Sequence, residues 1–399
     1  MHTLPVLQKL LRVSLPTIHA RRLETLTVAV DAVMHGARVS ITSMGRSLPS
    51  ATRIKHRVKR MDRLVGNPRL HAQRVRVYRA ILSRVLCGCI QPVILIDWSD
   101  FSTDRQQQLL RASIPMGGRA VTLYEELHPV AQLGNRRVQH RFIDQLEAML
   151  PANCVPIIIA DSGFRVPFFQ YVESLGWHWL GRIRNRDLVV WEGAPYEWIA
   201  AKSLYVLATT RPKDLGTVQW VRRCPLAGRL VLIRQPKRGR KDRGLNGVTR
   251  HSRLSRKHAQ RSAEPWLLIA SDSLAFYRAT QIVNLYKTRM HIEENFRDTK
   301  SVVYGLGIAR GRYTSFERAT NLLLIAALAM FALWVIGSLA KRLHWEWYVR
   351  VNSSSRTPDY SCLFLARLVI QHLNQRLPRD CLTDRNTCHR DYLNTILRL

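Results

Sequence analysis

Acidic residues are scarce in this chain. It carries 28 Asp and Glu against 62 Lys and Arg, a formal net charge of +34 over 399 residues. That excess points away from cationic partners and toward polyanions. Acidic membrane surfaces would also attract it, but the basic residues are spread along the chain rather than gathered beside one lipid-facing helix. Cysteines are few: seven, irregularly placed and without a CxxC pair. This excludes a disulfide scaffold and fits a reducing cytosol. Neither Cys87-Gly-Cys89 nor Cys381…Cys388-His389 has the spacing of a common zinc site. No N-terminal targeting signal is visible, because Pro5, Lys9 and Arg12 interrupt the first segment. A cytoplasmic location is therefore expected. Long apolar runs are also rare. The one of near-membrane length is Leu322 to Ile336, extended by Gly337-Ser-Leu-Ala340. It reads as a helix covering a sheet, since the strands expected here are buried on both faces and need such a cover.

What the chain does have is three acids in informative places. Pro92-Val-Ile-Leu-Ile-Asp97 and Val155-Pro-Ile-Ile-Ile-Ala-Asp161 are β-branched apolar runs that each end in a carboxylate. Each reads as a buried strand, and the carboxyl ends of buried strands are where open α/β sheets build their sites. Taken singly, either acid could equally end a strand and start a turn. The third acid, Glu293, lies in a pattern with Tyr286, Arg289 and Lys300, Y-x2-R-x3-E-x6-K. At about 100° per residue the four side chains fall within roughly a 60° arc of a single helix face. Leu285, Ile292 and Phe296 form an apolar stripe beside them. Such a face can be a solvated one with ordinary ion pairs. It is also what metal-dependent phosphodiester chemistry needs: a carboxylate for a cation and basic groups for the flanking phosphates. Carboxylates with open positions suit hard cations, two Mg²⁺ ions or Mn²⁺ in their place.

These blocks resemble the DDE transposases of the insertion-sequence-four family, which have a ribonuclease-H-like core. The likeness rests on Val93-Ile-Leu-Ile-Asp-Trp-Ser-Asp100, on Ile159-Ala-Asp-Ser-Gly-Phe-Arg-Val-Pro167 and on the Tyr286–Lys300 block continuing to Tyr304-Gly-Leu-Gly307. Shorter matches are Arg63-Leu-Val-Gly66, Leu110-Arg-Ala-Ser113, Val121-Thr-Leu-Tyr-Glu125 and Leu175-Gly-Trp177. The resemblance implies a bacterial, nucleoid-associated enzyme that excises an element and joins it to target DNA. Asp97, Asp161 and Glu293 would be catalytic metal ligands. Arg289, Lys300 and Tyr286 would hold phosphates. Trp266 would receive a base flipped from the duplex, with Met290 helping to expel it. A homodimer on double-stranded DNA and no membrane partner are further implications. Asp100 and Glu294 lie close by but are assigned no metal role, since Glu294 points about 100° away from Glu293.

The expected architecture is α/β: a ribonuclease-H-like mixed-sheet catalytic core with a mainly β insertion, an α-helical N-terminal DNA-binding domain and a helical C-terminal region. The boundaries read as 1–88, 89–183, 184–270, 271–344 and 345–399. In the first domain Ile54, Val58, Met61 and Val65 make an apolar helical stripe, and Lys55, Arg57, Lys59, Arg60 and Arg63 are candidate DNA contacts. In the core the expected order is strands at about 92–97, 109–115 and 119–126, a helix at 139–150, a strand at 155–160, a helix at 166–175 and a strand at 177–183. Lys237 to Arg261 is a strongly basic segment without apolar period, expected to order on a phosphate backbone. Two other readings stay open: a structure-selective nuclease on the same fold, and a DNA-binding protein derived from a transposase.

Overall fold

The computed structural model describes residues 15–185, 187–193, 197–236, 264–303, 305–308, 315–351 and 360–372, with positions 8, 11–13 and 252 besides. The basic segment 237–261, all but Ser252, and the second cysteine pair lie outside the described residues. By contact the chain forms two compact units, one of Met1–Cys154 with Arg289–Arg398 and one of Val155–Thr288.

The first unit opens with helices α1 (Ala20–Met34), α2 (Ile41–Ser47), α3 (Ile54–Val65) and α4 (Pro68–Leu86). Local signals set their ends. Ser40 and Asn67 cap α2 and α4 by accepting from Ser43 N and Leu70 N, and Pro68 opens α4 where its missing N–H has no helical acceptor. Ser43-Met-Gly-Arg46 lies inside α2. Gly45 lets α2 cross α3 closely, since a Cβ there would stand 2.6 Å from the Cα of Val58. The expected apolar stripe on α3 begins late: Met61, Leu64 and Val65 are buried, but Ile54 is 52% exposed. As the first residue of α3, Ile54 lies ahead of the turns that carry the buried positions.

Strands β1 (Val93–Asp100), β2 (Gln107–Met116) and β3 (Arg119–Pro129) follow as an antiparallel meander, then α5 (Arg136–Met149). A bulge at Ala112/Ser113 shifts the β2–β3 register. In the second unit, β4 (Ile157–Ala160) leads through α6 (Val166–Ser174) to β5 (His178–Ile183), which pairs with it in parallel. Next come β6 (Leu188–Trp191), β7 (Ile199–Ala200), a 3-10 segment at Ala201–Leu207, β8 (Lys213–Trp220), β9 (Leu226–Ile233) and β10 (Trp266–Ala270). All these strands join antiparallel, so within this unit the sheet is mixed and runs β4-β5-β10-β9-β8-β6-β7. The β-rich segment after residue 184 thus extends the sheet that starts with β4. The unit ends with α7 (Ala279–Lys287).

The chain returns to the first unit with α8 (Met290–Lys300), α9 (Phe316–Arg342), α10 (Glu346–Val349) and α11 (Cys362–His372). The order of strands and helices through β5 is that of a ribonuclease-H-like core, in a mixed α/β protein. Helix α9 holds the long apolar run. It is buried from Ala319 to Ala340, packed by α1, α3, α4, α8, α11 and β3. Its contact with α11 is tightest at Gly337, where a Cβ would fall on the carbonyl of Cys362 and 2.7 Å from its Cα. Backbone cannot yield there as a flexible side chain could. Gly337→Ala should therefore cost about 2 kcal/mol and lower the unfolding midpoint by roughly 5 °C, read by thermal denaturation followed by circular dichroism.

Candidate active site

The Tyr286–Lys300 segment is not one helix. Thr288 ends α7: its N–H bonds the Leu285 carbonyl at 3.1 Å and its hydroxyl donates to the same oxygen at 2.6 Å. Ile292 N bonds the Arg289 carbonyl, again three residues back. The chain tightens into three-residue turns here, so an arc computed at one helical pitch does not carry across it. Tyr286 therefore belongs to α7 and the second unit, while Glu293 and Lys300 belong to α8 and the first, with Arg289 at the α8 N-cap.

In the first unit, β1 and α8 bring three of the expected residues together. The Arg289 guanidinium donates through Nη1 to Asp97 Oδ2 at 3.4 Å and through Nη2 to Glu293 Oε1 at 2.5 Å. Asp97 is 13% exposed and Glu293 43%. Trp98 N adds a bond of 2.8 Å to Asp97 Oδ1. The sulfur of Met290 lies 3.6 Å from Arg289 Nη2. Lys300 sits at the far end of α8, donating to Ser99 Oγ at 2.6 Å and to the carbonyl of Asp100, above the Phe296 ring. Burial, seconded by Arg111, pushes its ammonium down to about 8 against the pull of Asp100 and Asp97. Asp100 is turned to Gln108 and Arg105, and Glu294 to Arg119 and Arg297. Both stand apart from the Arg289 cluster.

The sequence reading missed what fixes α8. Arg111 on β2 and Glu125 on β3 are direct cross-strand partners, joined by bonds of 2.8 and 2.6 Å, and both are fully buried. Arg111 also donates to Asn295 Oδ1 and, at 3.0 Å, to Thr299 Oγ1, both on α8. Asn295 in turn donates to the Ala120 carbonyl at 2.8 Å. Tyr78 on α4 donates to the other Glu125 oxygen at 2.9 Å. Burial, with Glu125 beside it, holds the Tyr78 phenol neutral, well above its ordinary range. Asn295 and Thr299 lie two and six residues past Glu293. The network therefore sets the height and rotation of the helix that presents it.

In the second unit Asp161 directly follows β4. Its carboxylate accepts from Gly163 N at 2.7 Å, and a Cβ on Gly163 would press on that oxygen at 2.9 Å. Trp266 opens β10, half-buried, with its ring edge-on to Tyr286 at 5.2 Å. Tyr286 is 2% exposed. Arg182 lies nearby, donating to the Pro265 carbonyl, and burial lowers its guanidinium from the usual range.

On α3, Arg57 donates to the Leu48 carbonyl at 2.6 Å, and Arg60 to Thr25 and Glu24 on α1 at 3.3 and 3.4 Å. Lys55, Lys59 and Arg63 are exposed.

Carboxylates alone form the donor set that Mg²⁺ or Mn²⁺ takes. In the first unit two of them already converge on one cationic head group, so residue type and placement there fit such an ion. Among the described residues no group of three or more His, Cys, Asp or Glu side chains is gathered for a metal.

Asp97 lies inside β1, three residues before its end rather than at that end, and meets Glu293 of α8 on the Arg289 guanidinium. Carboxylates and cations so placed suit phosphodiester chemistry. A family model described as the transposase DDE domain matches residues 89–332, and the chain belongs to that family. No curated protein matches the sequence significantly. Among solved structures it is similar to a piggyBac transposase synaptic complex with hairpin DNA, seen by cryo-EM, at 10% identity and a TM-score of 0.42. That match covers 96% of this chain and 72% of the other, a likeness too weak to carry the fold assignment.

Two outcomes follow from the geometry. Glu125→Gln leaves a buried guanidinium without its counter-charge and should destabilise by about 3–5 kcal/mol. Arg111→Met with Glu125→Leu should lose less than the sum of the two single changes, as a denaturant double-mutant cycle will show. For Lys300, the folded pKa of about 8 lies below the unfolded 10.5. The unfolded chain thus holds more protons between those values, and stability rises with pH across that window. Lys300→Met should exceed wild type in urea midpoint at pH 7, with the gain shrinking toward pH 10.5.

Proposed function

We propose that this protein is a cut-and-paste DNA transposase of a bacterial insertion sequence, acting in the cytoplasm on nucleoid DNA. The observation that carries the reading is the meeting of Asp97 and Glu293 on Arg289, inside the segment that the DDE family model matches. Within that family the motifs resemble the insertion-sequence-four group, and the transposase of insertion sequence ten in particular.

Two Mg²⁺ ions, or Mn²⁺, held by Asp97, Asp161 and Glu293 would supply Lewis acidity at the scissile phosphate and lower the pKa of the attacking water. The protein's own groups do the rest. Arg289, already between two of the acids, holds a non-bridging phosphate oxygen and offsets charge that grows in the transition state. Lys300, still largely protonated at pH 7, holds a neighbouring phosphate. Trp266 receives a base flipped from the duplex, and Tyr286 braces its ring from the core side. This exchanges a direct phosphate contact of Tyr286 for a supporting one, in keeping with its burial. Met290 fills the space the base leaves.

The chemistry is a series of in-line displacements at phosphorus. Hydrolysis of one strand at the element's end frees a 3′-OH. That hydroxyl attacks the opposite strand and closes a hairpin, expelling the flanking DNA. A second hydrolysis reopens the hairpin, and the 3′-OH then attacks target DNA. A homodimer would hold both ends together. Lys55, Arg57, Lys59, Arg60 and Arg63 place the N-terminal helices on the terminal repeats.

The test is an in vitro reaction with duplexes carrying the inverted repeats that flank the gene, in Mg²⁺, comparing wild type with Glu293→Gln. Hairpins and double-strand breaks should come from wild type alone. Specific binding without cutting by either protein would mark a DNA-binding derivative. Cleavage without strand transfer would mark a nuclease, and cutting that survives in Glu293→Gln would misplace the site.

A further inference from the structure

A cleft of about 580 Å³ runs between α1 and α3, far along the chain from the acids of the candidate site. Arg21 and Arg22 stand on one wall and Arg57, Arg60 and Arg63 on the other, and no Asp or Glu lines it. Like charges from two helices repel across such a space. A fold that holds them there gains only if an anion is to enter.

The guanidiniums are also held in place. Arg22 is anchored by Nη1 on Gln73 at 2.7 Å, Arg57 by Nη1 on the Leu48 carbonyl at 2.6 Å, and Arg60 by Nη2 on Thr25. Glu24, 3.4 Å from Arg60, is the acid at the margin. Each anchor takes one or two of five N–H donors, so the fork is oriented while donors remain for an oxygen ligand. Ordering them beforehand reduces the entropy lost on binding.

No Phe, Tyr or Trp lines the cleft. Single-stranded nucleic acid relies on aromatic platforms, whereas a duplex presents stacked bases inside and phosphates outside. We infer that the cleft between α1 and α3 seats the sugar–phosphate backbone of duplex DNA, gripping one strand between Arg21 and Arg22 and the α3 arginines. This rests on the DNA reading above and divides its α3 residues. Arg57, Arg60 and Arg63 join α1 in a sequence-independent grip. Lys55 and Lys59 do not line the cleft.

The experiment uses the full chain and measures binding to a terminal-repeat duplex and to a scrambled duplex by fluorescence anisotropy over a salt series. Arg21→Ala with Arg63→Ala removes one exposed charge from each wall. Arg136→Ala with Arg137→Ala removes the same charge from the exposed start of α5. The cleft variant should lose affinity for both duplexes equally, by about 30-fold at about 0.15 M salt, and its log–log salt slope should fall by about 2. The α5 variant should stay near wild type. Arg21→Gln with Arg63→Gln should reproduce the cleft loss, with an unfolding midpoint like wild type. Equal effects from cleft and α5 variants overturn the inference, as does a loss confined to the repeat sequence, which would mean base contacts. Tighter binding of single strands than duplex overturns the choice of partner. Wild type that binds no DNA would sink the transposase reading itself.

Discussion

The first unit is organised around a buried ion pair. Arg111 and Glu125 face each other across β2 and β3, and Asn295 and Thr299 of α8 both meet Arg111. Burying two charges is unfavourable unless geometry and further hydrogen bonds compensate. Here both oxygens of Glu125 and three nitrogens of Arg111 are satisfied. The consequence is specificity of placement. A helix packed by Phe296 and Ile292 alone could slide or rotate by a fraction of a turn at small loss. One whose Asn295 and Thr299 must meet Arg111 cannot. The position of Glu293 relative to Asp97 depends on that constraint.

A second layer lies on the other side of α8. Arg119, at the start of β3, reaches Glu294 at 3.1 Å and Asp298 at 3.2 Å. Burial raises the Asp298 carboxyl to about 6 despite Arg119 and Arg297. Glu293 thus meets Arg289 at the start of α8, beside Asp97 of β1, while the helix's other two acids meet Arg119.

Much of this was legible in the sequence, and the parts that were not have identifiable causes. The apolar runs before Asp97 and Asp161 marked β1 and β4, because strands buried on both faces need continuous β-branched sequence. The helix break at Thr288 was not legible. A threonine hydroxyl bonding its own turn is compatible with an unbroken helix pattern, and the apolar spacing of Leu285, Ile292 and Phe296 runs through it undisturbed. Arg111 and Glu125 left a faint signal: a charge of each sign inside strands otherwise apolar on both faces. Only the cross-strand register, which local periodicity does not give, turns those two charges into a pair.

Acid scarcity and the basic cleft are two sides of one arrangement. Many acids of the described chain are engaged by arginine: Glu125 by Arg111, Glu264 by Arg184, Asp214 by Arg229, Asp62 by Arg318, Glu294 and Asp298 by Arg119. Each such contact neutralises cationic charge locally, so the remaining excess lies in arginines and lysines outside these pairs. Cations in excess of these pairs then gather where acids are few, as between α1 and α3, where Glu24 at the margin offsets one of five arginines. A surface of that kind draws a polyanion from a distance, by a long-range term that salt weakens. Glu293, 43% exposed, keeps its own cation in Arg289, so it too takes little from the cleft's positive charge.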